Sequence, residues 1–248
     1  MTDMAEARPR AAFRTSFYGV MGILILLTGL AGFAGTYFVP MAQGDFSHPN
    51  PVIHLHTAVA VMWLVIFIAQ AHLVANRHVG LHRRLGMAGA GVAVLFVLTA
   101  IPTTYYMITT GLAGDDPARR FFAEVVSIAP ITDLLFFVPL VAFAVARRKQ
   151  PQVHKRMMLI ATCFFVGPGT FRLVAAAFGS IEPPIGFIID LTIAAFFLAG
   201  PVYDKLTMGR VHKTYWLVVP ALLVVLVRMP FAAESGLWLP VVEAIARF

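Results

Sequence analysis

The stretch that decides the fold is residues 54–86, HLHTAVAVMWLVIFIAQAHLVANRHVGLHRRLG. It opens with His54 and His56, continues as a mostly apolar run, and ends in a turn rich in Arg and His. An α-helix needs about 20 apolar residues to cross the hydrocarbon core of a bilayer. Basic turns next to such runs stay on the cytoplasmic side and orient the chain. Five of the eight histidines lie here, so the stretch also predicts where polar chemistry sits.

The composition of the whole chain is that of an integral membrane protein. Of its 248 residues, 59% are hydrophobic and 12% are charged, and the mean hydropathy is +0.82. Soluble domains carry about 25% charged residues. The net charge of +7 does not indicate nucleic-acid binding, because most Lys and Arg lie in short turns between apolar runs. The single cysteine, Cys163, excludes an intramolecular disulfide and a metal site built on a cysteine pair.

Seven apolar runs predict an all-α bundle of seven transmembrane helices. The predicted spans are residues 17–38, 52–75, 85–107, 121–146, 157–178, 184–203 and 215–233. They form one membrane domain, residues 17–233, preceded by a polar cytoplasmic segment, residues 1–16. The tail, residues 234–248, is short and amphipathic, and we expect it to lie along the membrane surface.

The distribution of Lys and Arg predicts a cytoplasmic N-terminus and an external C-terminus. Seven spans place fourteen basic residues on the N-terminal side and three on the other. Such an excess marks the cytoplasmic side. We therefore expect a multi-pass protein of the bacterial inner membrane, with the lipid bilayer as its partner.

Three related phrases predict an internal repeat of three helical hairpins after a leading helix. The phrases are LHRR at 81–84, VHKR at 153–156 and VHKT at 211–214. In the last two units an aspartate precedes the histidine, Asp133 by 21 residues and Asp190 by 22. Internal repeats are common in membrane folds.

Histidines near the cytoplasmic ends of the spans form the first candidate site. They are His72, His82, His154 and His212. Imidazoles from different helices can ligate haem or a metal ion. The alternative is that these residues contact lipid phosphates and cap helix starts. Both readings stay open.

The second candidate site is a polar stripe on the second span. His56, Trp63 and Gln70 are spaced by seven residues, and His54 lies at the outer end of the same helix. A spacing of seven drifts by only about 20° per step around a helix. A polar stripe on a spanning helix normally faces other helices. It is either the wall of a ligand site or a packing seam.

Four charged residues fall inside the predicted spans. They are Asp133, Arg172, Asp190 and Arg228. A charge at this depth costs a few kcal/mol or more, so each needs a partner. The expected pairs are Arg172 with Asp190, and Arg228 with Asp133 or Asp190. Gly-Pro-Gly at 167–169 predicts a kink just before Arg172. The cluster is either structural, or it is an outward-facing pocket shared with the first two histidines of the second span.

Several catalytic signatures are absent from the sequence. It contains no Gly-rich phosphate loop, no H-E-x-x-H and no G-x-S-x-G. The middle of the seventh span has no Lys to form a retinal Schiff base. No catalytic residue is therefore assigned.

The motifs together resemble those of a known group of proteins. The residues that carry the resemblance are HLH at 54–56, Trp63, Gln70, LHRRLG at 81–86, HKRM at 154–157 and Arg172. Their pattern resembles a group of bacterial multi-helix inner-membrane proteins to which no activity is assigned. More distantly, the H-R-x-L-G phrase is similar to cytochrome b561 and ferric-reductase-like membrane proteins. The second resemblance implies b-type haem held by histidines of neighbouring helices, for example His72 and His154.

Two functional hypotheses follow. The first is a haem-binding redox protein of the inner membrane. The second is a non-redox transporter, sensor or accessory subunit whose outer pocket binds a small or lipid-like ligand. A purely structural subunit of a larger complex is a third reading.

Overall fold

The structure is a computed structural model that describes residues 16–45, 50–181 and 185–248. These residues are mostly helical and contain no β-strand. The predicted polar segment before Ser16 and the predicted start of the sixth span at Pro184 lie outside the described residues.

Eleven α-helices follow one another along the described part of the chain. They are α1 (Phe17–Phe33), α2 (Val39–Ala42), α3 (Pro51–Ala75), α4 (Val79–Ala113), α5 (Pro117–Phe121), α6 (Ile128–Ala146), α7 (Pro151–Cys163), α8 (Val166–Phe178), α9 (Gly186–Met208), α10 (Val218–Glu234) and α11 (Trp238–Ala246). Two π-helical turns, Ala34–Phe38 and Phe122–Val126, follow α1 and α5, and a 3₁₀ turn, Lys213–Leu217, precedes α10.

Seven of the helical segments described here are long and apolar enough to cross a membrane. They are Phe17–Ala42, Pro51–Ala75, Val79–Ala113, Ile128–Ala146, Pro151–Phe178, Gly186–Met208 and Lys213–Glu234. The prediction of an all-α chain with seven helices long and apolar enough to span a membrane is thereby confirmed for the described residues. The orientation in the membrane and the three-hairpin repeat stay predictions.

The long helices begin and end at residues suited to those positions. The side chain of Asn50 accepts a hydrogen bond from the Val52 amide at 3.0 Å, and Pro51 occupies the first helical position of α3. At the other end of the chain, α9 stops at Gly209, whose φ of +70° is a left-handed conformation that glycine adopts without strain.

The fifth span is broken at Phe164 and Phe165, which separate α7 from α8. Pro168 explains the place of the break. Proline has no N–H to donate to the carbonyl four residues earlier, and its ring clashes with that carbonyl. The predicted kink therefore lies before Gly167, beside the Phe164 carbonyl, to which Pro168 has no N–H to donate.

The core contains a cluster of aromatic side chains from α3, α4, α6 and the break between α7 and α8. Trp63 is 2% exposed and contacts Phe137 edge-on, with ring centres 5.1 Å apart. Phe96 lies 4.7 Å from Phe165 and 5.1 Å from Phe137. Large apolar side chains also cover the outside of the bundle; Leu135 is 69% exposed and Leu191 72% exposed. An apolar exterior of this kind suits a surface that faces lipid and not water.

Candidate functional site

The candidate site is a cavity of about 190 Å³ in the half of the bundle away from the basic turns. Its wall is built from α1, α3, α4, α6 and the break between α7 and α8. Most of the lining is apolar, including Phe96, Phe137 and Phe165. Of the residues predicted for a ligand site, His56 and Asp133 line it.

His56 is held in one orientation by α4. Its Nδ1 lies 3.1 Å from the Thr99 hydroxyl. That hydroxyl is within hydrogen-bonding distance of the carbonyls of Leu95 at 2.8 Å and Phe96 at 3.1 Å. Because a hydroxyl has only one proton and the carbonyls take it, its oxygen accepts from Nδ1–H of His56. The other ring nitrogen, Nε2, then carries a lone pair.

Asp133 is paired with Arg228. Nη1 of Arg228 donates to Oδ1 of Asp133, to the Thr132 hydroxyl at 2.9 Å and to the Ala129 carbonyl at 3.3 Å. The Arg228 side chain is 6% exposed and that of Asp133 is 15% exposed. One of the two expected partners of Arg228 is therefore the partner found.

The expected pair of Arg172 with Asp190 is not formed, and that prediction is wrong. Arg172 donates to the Pro168 carbonyl of its own helix at 3.1 Å, and its guanidinium lies 4.0 Å from the centre of the Phe33 ring. Asp190 interacts at longer range with the charge of Arg228. A carbonyl and a ring therefore take the place of the expected carboxylate beside Arg172.

The other predicted pocket residues lie apart from the cavity lining. Nδ1 of His54 is 2.8 Å from the Tyr37 hydroxyl. Trp63 belongs to the aromatic core, and its buried Nε1 has no hydrogen-bond partner. Gln70 lies near the basic end of α3, where a Cβ placed on Gly86 would be 3.3 Å from its Nε2.

At the basic end, the structure brings together two of the four predicted haem histidines. The rings of His82 and His154 are 6.4 Å apart, centre to centre, and nearly perpendicular at 87°. Nδ1 of His154 lies 2.8 Å from the Ala144 carbonyl, so Nδ1–H donates and Nε2 is left as an acceptor. Nδ1 of His82 is buried without a partner.

The remaining two predicted histidines are used elsewhere. His72 lies against Asn76, one turn further along α3, with Nδ1 3.1 Å from the Asn76 amide nitrogen. His212 caps the 3₁₀ turn before α10, and its Nδ1 accepts from the Thr214 amide at 3.2 Å. Over the ranges the structure describes, no group of three or more His, Cys, Asp or Glu side chains could hold a metal ion.

A buried ion pair at the basic end was missed by the sequence analysis. Arg156 donates to both carboxylate oxygens of Asp204, at 2.8 Å and 2.7 Å, and both side chains are 1% exposed. The sequence analysis counted Arg156 among the basic residues that orient the chain, but the structure places it inside α7. A signal was present: Asp204 is the only acidic residue between 191 and 233, and it sits beside basic neighbours.

His212 lies next to this pair, outside the spanning segments. Partial burial away from water and the positive charge of Arg156 lower the pKa of His212 below its usual value. The lowered pKa favours the neutral ring that the capping hydrogen bond requires.

Comparison of the chain with models of protein families, with curated proteins and with solved structures finds no match. The similarity to cytochrome b561 therefore stays a prediction, and the function is inferred from the residues and geometry of this chain.

Proposed function

We propose that this chain is a non-redox membrane protein that binds a small, mostly apolar molecule in the cavity beside His56 and Asp133. The observation that carries the proposal is the cavity itself. At about 190 Å³ it is larger than cavities of about 150 Å³ that bind benzene inside proteins. Ligand sites are typically apolar hollows with a few placed polar groups.

The proposal also includes the membrane in which the protein resides and the kind of function that it performs. The excess of basic residues on one side supports a protein of the bacterial inner membrane with its N-terminus in the cytoplasm. A ligand of this kind partitions into the bilayer and enters from it. A transporter, a sensor or an accessory subunit would each need such a site.

The cavity is tested by filling it. Ala60 lines the cavity on α3, whereas Ala58, two residues earlier, is exposed and does not line it. Fluorobenzene is added to purified protein in nanodiscs, and bound ligand is observed by ¹⁹F NMR. We expect a bound signal in the wild type and in Ala58→Phe, and its loss in Ala60→Phe. Equal signals in the two variants would contradict the proposal.

A second candidate function is haem binding at the basic end. It is supported by the 6.4 Å between the ring centres of His82 and His154. Two imidazoles on one metal, with metal–nitrogen bonds of about 2 Å, place their ring centres at about that separation. Metal-bound histidines normally donate their other N–H to a carbonyl or carboxylate, as His154 does to Ala144. A bound haem would supply one-electron redox chemistry.

Absorption spectroscopy tests this candidate. Protein expressed with added haem is expected to show a Soret band that His82→Leu or His154→Leu removes and the control His72→Leu keeps. A wild-type protein without a Soret band would rule it out, and would leave the cavity proposal untouched.

A further inference from the structure

Three polar side chains of the cavity lining offer hydrogen-bond acceptors, and the hydroxyl of Thr104 is a further polar group there that can both donate and accept. Nδ1–H of His56 is committed to Thr99, so Nε2 presents a lone pair. The hydroxyl of Thr57, also in the lining, donates to the Ile53 carbonyl at 2.9 Å and offers only its oxygen. Asp133 contributes a carboxylate. A ligand that pairs with Nε2 of His56 has to supply a donor.

The charges in the cavity wall favour a neutral hydrogen-bond donor on the ligand over a cationic one. The carboxylate of Asp133 is neutralised by the guanidinium of Arg228, which is itself almost fully buried. The Asp133–Arg228 pair itself has no net charge, and Asp190 reaches Arg228 only at longer range. A buried ammonium group placed beside Asp133 would therefore compete with Arg228. Burying a further charge without a counter-charge is strongly unfavourable. A neutral O–H group meets no such cost.

The shape of the cavity indicates the rest of the molecule. Its aromatic walls include Phe96, Phe137, Phe164 and Phe165. Aromatic rings pack favourably against one another edge-on or offset. The volume suits one six-membered ring with a small substituent.

From these observations we infer that the ligand is a neutral aryl alcohol of the phenol class, with its hydroxyl donating to Nε2 of His56. This inference rests on the proposed function, because it names the ligand class of the same cavity. Its polar end lies at His56 and its ring lies among the phenylalanines.

The test compares two probes of nearly equal size, 4-fluorophenol and 4-fluorotoluene, by ¹⁹F NMR titration in nanodiscs. The dissociation constants are corrected for partition into protein-free nanodiscs. A hydrogen bond to an otherwise unpaired buried acceptor is expected to make 4-fluorophenol bind about fivefold or more tightly. His56→Leu should equalise the two probes, and the control His78→Leu, at the exposed basic end, should keep the preference.

Each outcome decides one question. Equal affinities in the wild type overturn the phenol inference and leave the cavity proposal standing, and this result does not depend on whether His56→Leu folds. Tighter binding of 4-fluorobenzylammonium than of 4-fluorophenol also overturns it, in favour of a cation. Binding of neither neutral probe, or binding that Ala60→Phe leaves unchanged, overturns the proposed function itself.

Discussion

At the scale of single residues, the ion pair between Arg156 and Asp204 shows how this bundle tolerates charge. Asp204 also accepts from the backbone N–H of His212 at 3.1 Å, and Arg156 donates to the carbonyl and side chain of Gln152. Both ions are therefore well supplied with hydrogen bonds. Removing one partner leaves the other buried and uncompensated.

Asp204→Asn is expected to destabilise the protein by about 3–5 kcal/mol, because it leaves Arg156 buried without its counter-ion. Thermal unfolding in detergent measures the effect. The matched control is Asp116→Asn in the exposed Arg119–Asp116 pair, where the Asp116 side chain is 52% exposed; it should change stability by about 0.5 kcal/mol or less. A similar loss of stability in both variants would show that the buried pair stabilises the fold no more than the exposed pair does.

The lowered pKa of His212 predicts a pH dependence of stability. The unfolded chain binds a proton at the ordinary value of about 6.5, whereas the folded chain binds it only at lower pH. Stability should therefore be constant above that value and fall as the pH decreases through it. In His212→Asn, which keeps a capping side chain, the loss between pH 8 and pH 5 should be smaller. An identical pH profile in the variant would contradict this origin.

The residue scale is also where sequence reasoning was weakest. It gave Asp133 as one of two possible partners of Arg228, because these charges sit in apolar runs, where a partner is obligatory. It missed Asp204 because an acidic residue next to a basic turn is expected to be exposed to water. It also missed Phe96 and Thr99, since nothing local distinguishes a cavity wall from ordinary core. The packing of several helices determines which apolar residues line the cavity.

At the scale of elements, α1 and α8 pack backbone against backbone at Gly32 and Gly169. A Cβ placed on Gly32 would lie 2.2 Å from the carbonyl oxygen of Gly169, which is backbone and has little freedom to shift. The contact fixes α1 against the break that forms part of the cavity wall. Small residues let membrane helices approach in this way.

Gly32→Ala is expected to lower stability by about 1–3 kcal/mol, as overpacking does. A Cβ at Gly35, three residues further along, would meet nothing within 4 Å, so Gly35→Ala is the control and should cause no loss. Melting temperatures of the two variants in the same detergent decide the point. A melting temperature for Gly32→Ala equal to that of the wild type would mean that the helices are not so closely packed.

Element boundaries were predictable only where local chemistry sets them. The second span was placed within one residue at its start, since Asn50 and Pro51 mark it. The fourth was predicted to begin at Phe121, but α6 begins at Ile128 after the π-helical turn Phe122–Val126. Apolar composition continues through that turn, so hydropathy alone does not detect the change in helix type.

At the scale of the whole molecule, composition was enough for the fold class. Seven apolar runs give seven helices long enough to span a bilayer, because no other structure satisfies the backbone in lipid. The orientation follows from the basic turns alone and can be tested separately from the cavity.

Cysteine labelling tests the orientation. In a Cys163→Ala background, a cysteine replaces either Asp115, in the turn after α4, or Lys149, in the turn after α6; both positions are exposed. A membrane-impermeant maleimide should label Asp115→Cys in spheroplasts and Lys149→Cys only after permeabilisation. The opposite pattern would reverse the bundle, and labelling of both in intact spheroplasts would contradict the span count.

Binding of a phenol beside His56 is tested most directly by a crystal structure of the protein with 4-bromophenol, in which the anomalous signal of bromine locates the ligand. We expect one bromine peak among Phe96, Phe137 and Phe165, with the hydroxyl oxygen about 3 Å from Nε2 of His56. Bromine found only on the outer surface, with side chains filling the space between these rings, would contradict this expectation.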